Sequence, residues 1–401
     1  MRQIIMLILA AMGGGCQGHW APAAHPAPAA WRTVRARPGG LGWAAGDAGL
    51  VFATVDGGST WTPQSTPLAN SILSVDFGSA LVGWVSGVNG DAARTADGGA
   101  SWVQMPIAKD DLGIGPPDSI SPIVSPDEAH AWALARWLDT TVLYHTANAG
   151  SSWSTVAYTD HGYASPNTLY GMGLTSDTEG WLVASRLVSG NYIPVLLRTV
   201  DGGTTWQPFD APATQLNGAS DPAWEVAIQA VSTGRVWVSV WDTVNSRGNI
   251  FRLELTSPPN TWTWSVWPWN SRVREISFSG PARGILAGDS TWETPDLFAT
   301  VHTTTFSGAA PLAADFASQT EGYAAGPDGV LYRWIPDLWG DANQDGRVDV
   351  RDACIIADIA TGGTPDASVS RVLADVDGDG QVTVADAVRA LRIAGGLAGQ
   401  G

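Results

Sequence analysis

The chain has 401 residues, 44% of them hydrophobic and 15% charged, which excludes a disordered chain and leaves room for one large domain plus a small module. Its formal net charge of −17 rests on 38 acidic against 21 basic residues, and Lys109 is the only lysine. Scattered arginines on an acidic chain exclude a nucleic-acid partner, because phosphate neutralisation needs clustered Lys or Arg.

The chain opens with "MRQIIMLILAAMGGGCQGHW": Arg2, an apolar run from Ile4 to Met12, then small residues. The run is too short to span a bilayer and has the form of a secretory signal core. "GGGC" resembles a lipobox ending at Cys16, with Gly13 in place of the usual larger aliphatic residue. Two outcomes follow: lipidation of Cys16, or ordinary cleavage within residues 13 to 30. Either places the mature protein outside the cytoplasm, in the extracellular space or cell envelope, with a lipid at Cys16 as the one route to a membrane. "WAPAAHPAPAAW" reads as an extended Ala/Pro tether, so residues 1–30 are expected to be signal and tether. The two cysteines, Cys16 and Cys354, lie in unrelated segments, and no disulfide is expected.

Two patterns then recur. "TVDGGSTW" (54–61), "TADGGASW" (95–102), "TANAGSSW" (146–153) and "TVDGGTTW" (199–206) share Thr-x-Asp/Asn-x-Gly-x-Ser/Thr-Trp. "GWAAG" (42–46), "GWVSG" (83–87), "AWALA" (131–135) and "GWLVA" (180–184) precede them, and "VWVSV" (236–240), "GILAG" (284–288) and "GYAAG" (322–326) continue alone. Short alternating runs bounded by Gly, Pro, Asp and Ser separate the markers, and no convincing helical period appears before residue 350. Four short strands per unit and seven markers predict a mainly β fold, a seven-bladed β-propeller over residues 31–336. The 21 tryptophans suit the wedges between twisted sheets. The last unit supplies three strands, and its fourth is either missing or drawn from residues just before Trp31.

The first pattern matches the Asp-box of bacterial neuraminidase repeats. Its logic is local: the Asp accepts hydrogen bonds within the turn between the third and fourth strands, Gly permits positive φ, and Trp packs into the sheet. These residues, and the Glu179 and Glu321 of "TEGW" and "TEGY", are expected to hold turns. The cadence "GWAAGDAGLVFATVDGGSTW" (42–61), repeated at 83–102, resembles the photosystem II assembly and stability factor propellers and shades into sialidases and two-propeller xyloglucanases. The resemblance implies fold more firmly than function. The Phe/Tyr-Arg-Ile-Pro stretch of sialidases is missing, and only one propeller fits. Asp110, Asp111, Asp127 and Glu128 fall in a loop-rich stretch and read as solvated charges. The six histidines show no metal-ligand spacing, so no residue is assigned a catalytic role. In "NTWTWSVWPWN" (260–270), strand alternation puts Trp262 and Trp264 on one face and Trp267 and Trp269 on the other, both expected to pack between blades.

The tail is different chemistry. Residues 337–401 hold 11 Asp, no Glu and 5 Arg, a net of −6, which two Ca²⁺ would bring to −2. A twelve-residue calcium loop takes ligands at positions 1, 3, 5, 7, 9 and 12, with Gly at 6. From Asp341 these are Asp341, Asn343, Asp345, the Arg347 carbonyl, Asp349 and Asp352, with Gly346 at the turn. From Asp375 they are Asp375, Asp377, Asp379, the Gln381 carbonyl, Thr383 and Asp386, with Gly380 at the turn. Val348 and Val382 fill the apolar eighth places, and helices are expected from Asp352 and Asp386, with Cys354 as a small apolar residue of the first. No helix enters either loop. This resembles a dockerin, the duplicated loop–helix module that plugs proteins into cohesin-bearing scaffolds. The resemblance implies two Ca²⁺ and a cohesin-like partner. Loop positions ten and eleven, often Ser/Thr pairs in dockerins, are Val350–Arg351 and Val384–Ala385.

The expected protein is thus a secreted or surface-attached propeller, residues 31–336, with a dockerin over 337–401 that docks it onto a scaffold. Its propeller is read as a non-catalytic binder of protein or polysaccharide. The alternatives are a glycoside hydrolase of polysaccharide catabolism and an assembly factor for a membrane complex.

Overall fold

The computed structural model describes residues 18–23, 30–107, 115–137, 140–156, 168–189, 191–212, 224–232, 234–256, 261–278, 284–294, 301–304, 306, 309–318, 321–336, 341–343, 348–363, 369, 374, 376 and 381–394. It falls into two compact units, residues 22–318 with 322–332, and residues 1–21, 319–321 and 333–401.

Seven four-stranded antiparallel sheets follow one another in chain order, and the chain is a seven-bladed β-propeller. Blades 1 to 6 take residues 31–64, 72–104, 119–155, 169–210, 224–269 and 273–303, each with its strands in sequence order. Blade 7 takes three strands from residues 313–336 and its outermost strand, Gly18–Pro22, from the other end of the chain. That strand lies in the stretch read as tether, so the open question of the last blade resolves in favour of residues ahead of Trp31. Cys16 and the expected signal core lie outside the described residues.

The ring is sealed where blade 7 meets blade 1. The Trp31 indole donates across to the Gly329 carbonyl at 3.1 Å, while within blade 7 the Ala23 amide, just after the outer strand, donates to the Leu331 carbonyl at 2.7 Å. Between blades, apolar clusters each draw on two adjacent sheets. The tryptophan of the recurring Gly-Trp pattern is the wedge. Trp43 lies flat on Phe77 of the next blade at 3.5 Å, and Trp237 on Phe278 at 4.7 Å. The glycine of the pattern makes space for the same ring: a Cβ on Gly83 would stand 2.4 Å from Phe77, and one on Gly284 2.6 Å from Phe278. The pattern is therefore a packing rule, which explains why it outlasts the Asp-box in blades 5 to 7.

Polar side chains on the inner strands lock neighbouring blades. At the position facing the wedge residue, the Asp76 carboxylate of blade 2 accepts from the Ser125 amide of blade 3 at 2.7 Å. Gln229 of blade 5 accepts from the Phe278 amide at 2.6 Å, and Asp315 of blade 7 accepts from the Ala36 amide of blade 1 at 2.9 Å. In these cases one blade's side chain satisfies the next blade's backbone, so the bonds are made only when the ring is assembled.

In the tail, helix α1 spans Val350–Ala360 and helix α2 spans Val384–Ala394. Each starts two residues earlier than expected. For α1 the reason is a cap: the Asp349 side chain accepts from the Arg351 amide while Asp352 reaches back to the Asp349 amide. Ala353, Ile356, Ile359, Ala387 and Ala390 form a small core, with Val348 and Val382 packed against it. Cys354 sits on α1 but is exposed, because the inward positions fall to Ala353 and Ile356.

Candidate functional site

The Asp-boxes lie where expected, between the third and fourth strands of blades 1 to 4. In blade 2 the Asp97 carboxylate accepts from the Ser101 amide at 2.8 Å and the Ser101 hydroxyl at 2.5 Å, and the Thr95 hydroxyl bridges to it at 2.8 Å. The Ser101 bonds and then that of Thr95 hold its pKa down at about 2. Gly98 and Gly99 take positive φ, while Ala149 does so in the "TANAGSSW" variant. These carboxylates are committed to their own turns. Glu179 is likewise structural, paired with the Arg198 guanidinium at 2.6 Å. That guanidinium also lies over Trp181 at 5.6 Å and Trp262 at 5.2 Å.

The four clustered tryptophans divide as their spacing implies. Trp262 and Trp264 pack with Trp181 and Phe209 of blade 4, and Trp267 and Trp269 with blade 6. They are half-buried between blades. Asp127 accepts from the amides of Ala129 and His130 and from the His130 ring, so it too holds a turn. Glu128 is exposed, and Asp110 and Asp111 lie outside the described residues.

Sequence reasoning missed the charges inside the ring. A cavity of about 780 Å³ runs along the inner strands. Within it the Arg35 guanidinium lies 2.6 Å from Asp76 and 3.6 Å from Asp315, two carboxylates from opposite ends of the propeller sequence. Burial opposes the charge on Arg35, but Asp76, Asp315 and Glu275 outweigh it and raise its pKa. Glu275 shares this space. Burial, then Asp315 and Asp76, push its carboxyl up to about 8 against the pull of Arg35, so it holds its proton at neutral pH. The available signal was a lone acid in an otherwise apolar strand, "SVDF" and "AADF", each just before a phenylalanine.

In the tail, Asp341, Asp352 and Asp386, at the first and twelfth expected ligand positions of loop one and the twelfth of loop two, are all fully buried. Asp352 accepts from the Asn343 amide at 3.2 Å and the Asp349 amide at 2.9 Å. Asp386 accepts from the Thr383 amide at 2.8 Å and hydroxyl at 2.9 Å. Among the described residues no group of three or more His, Cys, Asp or Glu could hold a metal ion by itself, and Asp345, Arg347, Asp375, Asp377 and Asp379 lie outside them. The donor chemistry nevertheless suits a hard cation. Buried carboxylates beside an Ala/Ile core are costly as bare charges and are relieved by a divalent ion.

Residues 59–174 match the family model described as photosynthesis system II assembly factor YCF48, and residues 339–390 match the dockerin type I domain. No curated protein matches the chain. Among solved structures it is similar to YCF48 bound to D1 peptide, with 19% identity and a TM-score of 0.56 over 79% of this chain and 96% of that one. It is similar to YCF48 from Cyanidioschyzon merolae, with 18% identity and a TM-score of 0.54 over 79% and 98%. It also resembles the Niastella koreensis GH74 enzyme, with 12% identity and a TM-score of 0.53 over 78% of this chain and 53% of that one. At these identities the structural likenesses establish fold alone. No helix among the described residues is long and apolar enough to cross a membrane. The chain is a seven-bladed Asp-box β-propeller similar to the photosystem II assembly and stability factor propellers, followed by a C-terminal segment that matches the dockerin type I domain, a family whose members bind calcium.

Proposed function

We propose that the protein is an extracellular or surface-attached binding body, secured to a cohesin-bearing scaffold through a tail that holds two calcium ions. The observation that carries this reading is the set of fully buried ligand-position carboxylates, Asp341, Asp352 and Asp386, within the dockerin match. The first ion takes Asp341, Asn343, Asp345, the Arg347 carbonyl, Asp349 and Asp352. The second takes Asp375, Asp377, Asp379, the Gln381 carbonyl, Thr383 and Asp386. Val350 and Val384, at loop position ten, are 60% and 57% exposed, which gives the docking face an apolar character. The propeller presents a protein or polysaccharide to that scaffold without transforming it, since its Asp-box acids are spent on their own turns. The propeller of YCF48 bound to D1 peptide is a precedent of the same fold for holding a protein segment. An exported chain whose signal ends ahead of the Gly18–Pro22 strand, with a lipid at Cys16 as one outcome, completes the reading.

The test is capture of the full chain on an immobilised cohesin panel in calcium and in chelator. Calcium-dependent retention supports the docking role; retention that ignores the chelator, or none on any cohesin, overturns it.

A second reading is favoured by one observation. Burial and Asp315 push the Glu275 carboxyl up to about 8 in the cavity it lines with Asp76, and a carboxyl that keeps its proton near neutral pH is what glycoside hydrolysis uses as its acid. Release of reducing sugar from a polysaccharide panel, abolished by Glu275→Gln, would establish it in place of the binding role.

A further inference from the structure

The inner strands carry an irregularity at one register. Pairing with the second strand skips Arg32 in blade 1, Leu73 in blade 2, Tyr170 in blade 4 and Arg274 in blade 6, with a two-residue skip at Ser121–Pro122 in blade 3. All of these residues line the channel. A bulge turns its extra residue off the alternation of the strand and is enriched beside binding sites. Repetition in five blades places the five skips around one end of the cavity, where the inner strands begin.

Arg136 stands at the same end, paired in register with Ser119. Its guanidinium donates to the Tyr170 carbonyl at 2.5 Å and to the Ser121 carbonyl at 3.3 Å, both at skipped positions. Among the described residues it has no carboxylate within ion-pair distance, unlike Arg32, Arg272 and Arg274 at the starts of the inner strands of blades 1 and 6. Arg32 pairs with Asp47 at 2.5 Å, Arg272 with Glu225 at 3.2 Å, and Arg274 with Glu225 at 3.7 Å and Asp289 at 3.8 Å. Of these four arginines Arg136 alone, among the described residues, has no ion-pair partner. Burial lowers the pKa of Arg136, the cost of a desolvated cation without a counter-ion.

We propose that this mouth binds the carboxylate of a small organic acid, with Arg136 taking the two oxygens and Arg32 and Arg274 forming the rim. The planar fork of a guanidinium matches a carboxylate oxygen for oxygen. A single negative charge answers the Arg136 guanidinium, whereas a dianion would meet repulsion from Asp76, which lines the same cavity. The cavity has the size of an ordinary ligand pocket. This assignment rests on the reading of the propeller as a binding body and names the chemistry of its ligand.

Calorimetric titration of the full calcium-loaded chain with glucuronate, glucose and inorganic phosphate tests it. Glucuronate is expected to bind, glucose not at all, and phosphate more weakly than glucuronate. Arg136→Gln is expected to weaken glucuronate binding by about tenfold or more, the scale of one charge-assisted hydrogen-bond pair. The more exposed Arg274→Gln should weaken it by less and leave the melting temperature unchanged. Equal affinity for glucose, tighter binding of phosphate, absence of glucuronate binding, or indifference to both substitutions would overturn the site. Calcium-dependent cohesin capture run on the same samples keeps the two proposals apart: capture intact with no acid bound rejects the mouth alone. Chemical turnover of the acid would reject the non-catalytic reading instead.

Discussion

Aspartate does opposite jobs in the two parts of this chain. In the propeller turns, Asp97 faces solvent and is surrounded by donors from its own eight-residue motif, the amide and hydroxyl of Ser101 and the hydroxyl of Thr95. Its charge is answered by atoms that arrive with the turn, so the motif closes without help. In the tail, Asp341, Asp352 and Asp386 are buried in a module whose apolar core consists mainly of alanines and isoleucines. Asp352 accepts from the Asn343 and Asp349 amides and Asp386 from the Thr383 amide and hydroxyl, and the proposed calcium ions would share these buried oxygens. On the proposed function, the contrast separates a body that folds on packing and internal hydrogen bonds from a module whose folding is coupled to an ion.

The largest break in that symmetry should come from chelation. Removing calcium should unfold α1 and α2, read as loss of the helical far-UV signal, while the propeller's β signal and tryptophan emission stay in place. Asp352→Ala and Asp386→Ala should each weaken one calcium site by more than about 100-fold, measured by calorimetry, without moving the propeller's melting transition. The mirror experiment is Trp237→Ala. Losing this fully buried wedge should cost the propeller about 3–5 kcal/mol in denaturant unfolding and leave calcium stoichiometry untouched.

A smaller effect separates the two kinds of propeller acid by pH. The folded pKa of Glu275, about 8, lies above the roughly 4.3 of an unfolded glutamate. Its contribution is therefore full below about pH 4.3 and is lost as pH rises through 8. Glu275→Gln should flatten the decline in melting temperature between those values. Asp97 has the opposite sign: its pKa is held at about 2, so its contribution is present above the ordinary aspartate range and disappears as pH falls through 2. Asp97→Ala should give the smallest shift of melting temperature in this series, and one that vanishes in strong acid.

How much of this was legible follows from the range of each interaction. The Asp-box turns close within eight residues, and their position between third and fourth strands could be read directly. The Gly-Trp pattern counted the blades because its glycine or tryptophan recurs at packing contacts, as Gly83 and Trp43 do at Phe77 and Gly284 and Trp237 do at Phe278. The faces of Trp262, Trp264, Trp267 and Trp269 followed from alternation alone. The channel did not, since Arg35, Asp76, Glu275 and Asp315 meet only after the ring has brought distant segments together. The same holds for Arg136, whose significance depends on which carboxylates are not beside it. The outer strand of blade 7 was obscured by its Ala/Pro-rich neighbourhood, where Trp20 packs edge-on to Trp334 at 5.3 Å. The start of α1 was set by a cap at Asp349 that serves both the helix and the ligand pattern, so neither marked the boundary by itself.

The central claim is that the tail's oxygen clusters each take one calcium ion and fold in doing so. Titration of calcium into the chelated full chain, with heat and far-UV dichroism recorded together, tests it most directly. The account predicts saturation at two ions per chain, one for each loop, with helical signal rising in step with the bound metal. Helical signal already complete in chelator, or heat that saturates without any structural change, would contradict it.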